Sequence, residues 1–503
     1  MSSLDDLPPV PSFVRPVHLA HVPGPSTPLL DAAMVGLAEA CARHGHHWTQ
    51  APDARTDAFV TTARLHEPLS WRQSPLFVGR KQFGLRHKPA TYAVVQATPE
   101  QLRSLLARFA AALARQPWQP ADFELPGLAA NGAKVLRSQG ESGGPLVCVA
   151  RLLQAQTKCL RILLLVGDQQ LESAYLFDLA GARPRLDGRD ARRCYSEAVQ
   201  RMATQLSTCE ATAHEALPDV IPAATWAAAV VPPALLRWSR ELGQRRFFTE
   251  LVRVADLVDV PVLNDALAQQ YSEGCFASFD PLLDAQVITA SGSLEPVAKS
   301  AVAEGDLAVL AAPRANASGV VFRRVEGHRN PQPSSEALEF ELLDARLPRR
   351  VPPAGCGVTR PVPVVRSKLH GHRGVAAYDP RSVEFAPLAA EFHDYLVSCS
   401  TQAQALAIAD AFARSAALHD PEDPRQVVFT ILPGHGLLMV EKWQPGLAPG
   451  AVLLAAMDSG QLEVAREVPQ GHCRYVARGA RMVFAAAEPV RAVPPATAGG
   501  TAQ

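Results

Sequence analysis

The chain has 503 residues, of which 48% are apolar and 19% are charged, and its 49 acidic residues balance its 49 basic residues. A length of about three typical domains of ~150 residues predicts two to four domains or one large composite fold. The zero net charge argues against a whole-molecule attraction to nucleic acid or to an anionic membrane.

The sequence also argues against export and membrane insertion. Asp5, Asp6 and several prolines interrupt any apolar stretch of the kind that a signal peptide needs. The most apolar segment, residues 223–236, is shorter than the ~20 residues that cross a bilayer, and Pro232 and Pro233 interrupt it. The nine cysteines are scattered without a C-x-x-C pair, as is usual in a reducing compartment. We therefore expect a cytoplasmic protein that binds neither membrane nor nucleic acid.

Residues 1–14 are expected to be disordered, and residues 15–125 are predicted to form a first α/β unit. Thr27 is a suitable N-cap for a helix that starts at Pro28, and apolar residues then recur at spacings of three and four up to the stop at Gly45. The other predicted elements of this unit are strands at 17–22, 58–65 and 92–96 and a helix at 99–115.

The rest of the chain is predicted to continue the alternation of strands and helices. Strands at 161–166 and 173–179 can form a hairpin around Gly167 and Asp168. The predicted boundaries are a second α/β unit at 126–240, a middle α/β or mixed-sheet unit at 241–345, a Pro-rich linker at 346–365, a C-terminal α+β unit at 366–487 and a disordered tail at 488–503. The fold class is α/β, with mostly parallel or mixed sheets flanked by helices and a more β-rich C-terminal unit.

No nucleotide-binding or hydrolase signature occurs in the sequence: it has no G-x-x-x-x-G-K-[ST], strand-bound G-x-G-x-x-G, G-x-S-x-G or H-E-x-x-H. P-loop ATPases, ordinary dehydrogenases, α/β-hydrolases and zincins are therefore disfavoured, and we expect no nucleotide cofactor. Candidate chemistry must come from dense polar clusters.

The first cluster contains three carboxylates, Glu273, Asp280 and Asp284. Oxygen ligands of this kind suit Mg²⁺ or Mn²⁺. In the alternative interpretation, Asp280 is an N-cap followed by Pro281, and Glu273 pairs locally.

The second cluster follows a predicted strand at 319–325 and delivers His328 and Arg329 to a sheet end. His328 can act as a base or ligand, and Arg329 can bind an anion. A solvated loop is the alternative. Residues 334–336 are expected to cap the next helix.

The third cluster, residues 366–374, contains Lys368, His370, His372 and Arg373. On a strand, His370 and His372 share one face and can bind a metal or a phosphate-like group. The alternative is a solvated basic loop. The fourth cluster is a turn that places His435 between two glycines, where it is either catalytic or simply fits a narrow turn.

The other basic residues are less specific indicators of a binding site. The run at 79–88, which includes Lys81, can hold an anionic ligand or be a solvated loop. Lysine is scarce, with seven residues at positions 81, 88, 134, 158, 299, 368 and 442. We hypothesise that the remaining lysines mark places where a compact ammonium is preferred over guanidinium.

Residues 264–297, which include Y-S-E-G-C-F and I-T-A-S-G-S, resemble a passage of the L-fucose-isomerase-related proteins. In that family an acidic metal ligand in a C-E-G-D-like context precedes a helix and a T-G-x-P-like turn. The resemblance implies an α/β fold and a divalent metal used for aldose–ketose isomerisation through an enediol. It also implies that Glu273 is the first acidic ligand, with Asp280 or Asp284 as a second and His328, His370 or His435 as a third. The family's Asp after E-G is Cys275 in this sequence.

Two hypotheses follow from the sequence. The first is an enzyme acting on a small sugar-like or anionic substrate, with Mn²⁺ or Mg²⁺, at a site between the middle and C-terminal units. Its predicted residues are Glu273, Asp280, His328 and His435 for catalysis, Arg329, Lys368, Arg373 and Lys81 for substrate binding, and Glu273, Asp284, His370 and His372 for the metal. The second is a non-catalytic ligand-binding or assembly protein that uses the basic loops 79–88 and 366–374. Self-association into a homo-oligomer is left open.

Overall fold

The computed structural model describes the greater part of the chain between residues 14 and 486. The described residues are 14–67, 90–115, 160–177, 185–186, 190–207, 213–245, 247–248, 274–290, 299–389, 401–432, 435–465 and 473–486. Within these ranges no helix is both long and apolar enough to cross a membrane.

The N-terminal part of the chain forms a six-stranded sheet flanked by helices. Its strands are β1 (His18–Val22), β2 (His47–Thr49), β3 (Ala58–Arg64), β4 (Ala90–Ala97), β5 (Leu160–Val166) and β6 (Ser173–Phe177), and its helices are α1 (Pro28–Arg43), α2 (Pro99–Arg115) and α3 (Ala191–Ser207). The strand order is β2-β1-β3-β4-β5-β6, and only β6 is antiparallel to its neighbour. The predicted N-cap is confirmed, because the Thr27 side chain accepts a hydrogen bond from the Leu30 amide. The predicted β5–β6 hairpin is confirmed as well.

The remaining strands build three further sheets. In chain order they are β7 (Ala213–Ile221), β8 (Cys275–Asp280), β9 (Ala285–Thr289), β10 (Leu307–Pro313), β11 (Gly319–Val325), β12 (Arg349–Arg350), β13 (Val362–Pro363), β14 (Val365–Gly371), β15 (Gly374–Tyr378), β16 (Val383–Phe385), β17 (Val427–Leu432), β18 (Gly436–Lys442), β19 (Leu462–Ala465), β20 (Cys473–Arg478) and β21 (Arg481–Ala486). A nine-stranded mixed sheet has the order β16-β17-β18-β14-β8-β9-β10-β11-β7, a four-stranded sheet has the order β19-β15-β21-β20, and β12 pairs with β13. The large sheet takes strands from both sides of the Pro-rich segment 346–365.

Helices cover both faces of the nine-stranded sheet. They are α4 (Ala223–Ala228), α5 (Val231–Gln244), α6 (Ala337–Arg346), α7 (Gln402–Ala413), α8 (Ala416–His419) and α9 (Ala451–Asp458). Because side chains alternate along a strand, Ala277 faces a core shared with Phe340 of α6 and Phe412 of α7, whereas Phe276 faces a core shared with Trp238 of α5. The expected α/β class, with mixed and parallel sheets between helices and a strand-rich C-terminal region, is confirmed.

One interpretation from the sequence is wrong: residues 366–374 are not a solvated loop. Most of the segment is β14, which lies between β8 and β18 inside the large sheet. The side chains of Lys368 and His370 are fully buried, and Arg373 is 5% exposed. The charges of these residues predicted exposure to solvent, but the residues are buried, because each of these groups has a polar partner inside the protein.

Candidate metal centre

Three histidines meet at one end of the central strands. His370 is near the end of β14, His372 follows that strand, and His435 lies in the turn between β17 and β18. Their nearest ligand nitrogens all lie within 4.8 Å of one another. The ring centroids are 4.8 Å apart for His370 and His435 and also for His372 and His435. The cluster is buried, with only 11% of the His435 side chain exposed.

Strand pairing explains how residues so distant in sequence come together. β14 and β18 are antiparallel, with Gly371 opposite Leu437, so the turn that precedes β18 lies beside the end of β14. Gly436 allows this approach, because a Cβ atom at that position would lie 2.2 Å from the carbonyl oxygen of Gly371. Only a residue without a side chain fits there.

Neighbouring groups orient two of the imidazoles. Nδ1 of His370 lies 2.9 Å from the carbonyl oxygen of Leu437 and donates to it, which leaves the Nε2 lone pair for a metal. Nδ1 of His435 lies 3.0 Å from the side-chain amide of Gln404 in α7. If Nε2 of His435 binds a metal, Nδ1 carries the proton and needs an acceptor. A 180° flip of the Gln404 side-chain amide places its oxygen there as that acceptor.

A carboxylate lies against the histidine cluster. Glu336, the N-cap residue of α6, places Oε1 3.6 Å from Nε2 of His370 and 3.7 Å from Nε2 of His435. Its Oε2 atom accepts a hydrogen bond from Sγ of Cys275 at 3.4 Å. Burial, reinforced by the nearby Glu336 and Glu339 carboxylates, raises the pKa of Cys275 well above its usual range, so the thiol stays protonated and acts as the donor.

These residues provide the donor atoms that a divalent transition metal binds. Three imidazoles from His370, His372 and His435 match a tetrahedral site that keeps one position for water or substrate. Glu336 can either ligate the ion or accept a proton beside it. The structure therefore contains a site whose residues can hold a metal.

Comparison of the chain with models of protein families, with curated proteins and with solved structures gave no match. The side chains of the site are thus the evidence for what it does.

Several residues predicted from the sequence lie elsewhere. Asp280 is at the end of β8 opposite to Cys275, and its carboxylate caps backbone: Oδ2 accepts from the amides of Val230 and Val231, and Oδ1 accepts from those of Leu282 and Leu283. The carboxylate is a buried structural cap, and the catalytic role predicted for it is not supported by these contacts. Asp284 has φ 46° in the turn between β8 and β9, is half exposed and forms ion pairs with Arg349 and Arg360. The predicted metal-binding role of Asp284 is not supported, because two guanidinium groups occupy its carboxylate.

His328 and Arg329 are also remote from the cluster. They follow β11, which is four strands from β14, or about 19 Å at ~4.8 Å per strand. The His328 ring packs edge-on against Trp226, with 5.4 Å between ring centroids. His328 therefore has no place in the chemistry of this centre.

The remaining predicted residues divide into two groups. Lys368 and Arg373 lie close to the histidines in sequence, but Lys368 is buried beneath α6 and Arg373 donates from Nε to the carbonyl of Phe247 at 3.1 Å. Glu273 and Lys81 lie outside the described residues, as does the basic run 79–88.

The sequence interpretation gave Glu336 only a capping role. Glu336 does occupy the N-cap position of α6, but its carboxylate points at the histidines. The signal available in the sequence was the polar P-S-S-E segment, directly before an apolar helix and after a sheet strand.

Proposed function

We propose that the protein is a metal-dependent enzyme that forms an enediolate from a small, sugar-like hydroxycarbonyl compound. The observation that carries this proposal is the Glu336 carboxylate within 3.7 Å of two imidazole nitrogens of a three-histidine cluster. A metal ion held by these histidines would supply a Lewis acid directly beside a carboxylate that can accept a proton.

The proposed ion is Zn²⁺. Three imidazole ligands suit zinc and its transition-metal neighbours, whereas Mg²⁺ and Mn²⁺ favour oxygen ligands. The two aspartates that were expected to supply oxygen ligands, Asp280 and Asp284, bind backbone amides and arginines instead.

The neutral ligands leave the full charge of the ion to act on a substrate. Held by the three histidines, Zn²⁺ would supply a Lewis acid that polarises a carbonyl and so acidifies the neighbouring C–H or O–H bond. Glu336 is then the group that accepts the proton and later returns it.

Two reactions proceed through such an enediolate: aldose–ketose isomerisation and aldol cleavage. In aldose–ketose isomerisation, which the sequence resemblance implies, the proton returns to the adjacent carbon. In aldol cleavage, the carbon–carbon bond breaks first and the released enediolate is then protonated. The site favours enediolate chemistry over the binding-protein hypothesis, because one of the two basic segments that this hypothesis uses, 366–374, is a buried strand.

The test begins with the metal. Purified protein is stripped with a chelator and titrated with Zn²⁺ by calorimetry, and we expect one ion per chain. His372→Ala should abolish high-affinity binding, whereas the matched control His328→Ala should bind like the wild type.

Chemistry is then followed by NMR in D₂O with a panel of aldoses, ketoses and their phosphates. We expect metal-dependent deuterium incorporation next to a carbonyl, or the appearance of two smaller carbonyl products. Glu336→Gln should still bind the metal, with lower affinity than the wild type, and should lose the reaction. Absence of stoichiometric metal in the wild type, or wild-type turnover by Glu336→Gln, would contradict the proposal.

A further inference from the structure

A buried polar network lies behind the metal centre, between α6 and the sheet. Nζ of Lys368 in β14 is 2.8 Å from Oδ1 of Asp344 in α6 and donates to Oε1 of Gln286 in β9 at 2.9 Å. Nε2 of Gln286 in turn donates to Oε1 of Glu341 at 2.7 Å. We call these four residues the Lys368 network.

The network and the metal centre share the same two elements. Lys368 and His370 are two residues apart on β14 and point to the same face, with about 7 Å between their Cα atoms. Along α6, Glu336 and Asp344 are about 12 Å apart. Helix and strand therefore touch at two separate points, His370 with Glu336 and Lys368 with Asp344.

We propose that the Lys368 network is a positioning device that fixes helix α6 against strand β14, and thereby holds the Glu336 carboxylate at the histidine cluster. This inference rests on the proposed function, because it assigns the network a role towards the metal. A helix of ten residues moves as a rigid rod, so a shift of α6 along its axis displaces Glu336 equally.

The energetic character of the network supports a positioning role over a purely stabilising one. A buried ion pair gains little net stability, because desolvation of both charges offsets their attraction. Apolar residues would fill the same space at least as well. What the pair supplies is a directional contact, which accepts only one alignment of helix and strand.

The test is a double-mutant cycle with Co²⁺ as the probe. Lys368→Met and Asp344→Leu are introduced together, so that neither member of the ion pair is left in the core without its partner. The pair of substitutions is placed in the wild type and in Glu336→Gln, and the Co²⁺ dissociation constant and visible spectrum are measured. Asp410→Asn, which removes an exposed ion pair with Arg346 of α6, is the matched control.

We expect the paired substitution to weaken Co²⁺ binding about tenfold in the wild type, and less than about twofold when Glu336 is already replaced. The Co²⁺ spectrum of the paired variant should change in the same direction as that of Glu336→Gln. Equal weakening in both backgrounds, or no weakening in either, would overturn the inference.

Hydrogen exchange in the metal-free protein separates failure of the inference from failure of the proposed function. The amides of residues 337–340 should exchange at least about tenfold faster in the paired variant than in Asp410→Asn. If the wild type binds no Co²⁺, the proposed function fails and this comparison alone decides the role of the network. Unchanged exchange at these amides would then refute it.

Discussion

The protonation state of Glu341, a member of the Lys368 network, can be tested by a single substitution. Burial raises the pKa of this carboxyl from 4.5 to about 7, and the neighbouring Asp344 adds to the effect. Lys368 and the hydrogen bond from Gln286 oppose the shift without cancelling it. Burial also raises the pKa of Asp344, whose carboxylate faces Lys368 and Arg349. The folded protein therefore holds a proton on Glu341 at pH values where the unfolded chain has lost it.

The sign of the linkage follows from the direction of this shift. Because the folded pKa is the higher one, the contribution to the free energy of unfolding is fully present below pH 4.5 and is lost as the pH rises to about 7. A difference of about 2.5 pKa units at ~1.36 kcal/mol per unit corresponds to about 3 kcal/mol. In Glu341→Gln the side chain cannot ionise, so this loss should disappear.

The assay is urea denaturation at intervals between pH 5 and pH 8. The free energy of unfolding of Glu341→Gln, relative to that of the wild type, should increase across this range by up to about 3 kcal/mol. Glu341→Asp, which keeps a carboxyl in the same pocket, is the control and should retain the pH dependence. Parallel pH profiles for Glu341→Gln and the wild type would refute the reasoning.

Two further substitutions test the backbone of the site and its surroundings. Gly436→Ala places a Cβ atom 2.2 Å from the carbonyl oxygen of Gly371, so it should lower the free energy of unfolding by more than about 2 kcal/mol and reduce metal affinity, as measured by urea denaturation and Zn²⁺ titration. Asp280→Ala removes the acceptor for the Val230 and Val231 amides and should cost about 1–3 kcal/mol in the same denaturation assay while leaving Zn²⁺ binding unchanged. Loss of Zn²⁺ binding in folded Asp280→Ala would restore the role that the sequence suggested for this residue.

Local patterns in the sequence were sufficient to predict helices and strands but not to predict the residues that form the site. The N-cap at Thr27 and the β5–β6 hairpin depend on contacts between close neighbours, so they could be predicted. The alternation of His370 and His372 was also visible. The contact of these histidines with His435, however, depends on the pairing of Gly371 with Leu437, which no local sequence pattern predicts.

Asp280 illustrates the opposite error. A dense group of carboxylates near glycine suggested an oxygen-ligand site, yet the strand geometry separates Asp280 from the histidines. β8 is six residues long, so its two ends are about 17 Å apart at ~3.3 Å per residue. Cys275 at one end reaches the metal centre, and Asp280 at the other caps the backbone of α5.

The structure describes the surroundings of some of the scarce lysines. Three of the seven, Lys299, Lys368 and Lys442, lie within the described residues, and each has a nitrogen in a confined position against an oxygen acceptor. Nζ of Lys299 donates to the carbonyl of Ala290 at 2.6 Å, and Nζ of Lys442 donates to that of Asp423 at 2.9 Å. A planar guanidinium has five N–H donors and needs more acceptors than one carbonyl provides, so a compact ammonium suits these sites better.

Among these three, Lys368 is the one that belongs to the strand carrying His370. Its ammonium reaches Asp344 and Gln286 at the same time. Confinement against an oxygen acceptor is thus the property that the three lysines share, and only its place on β14 connects Lys368 with the metal centre.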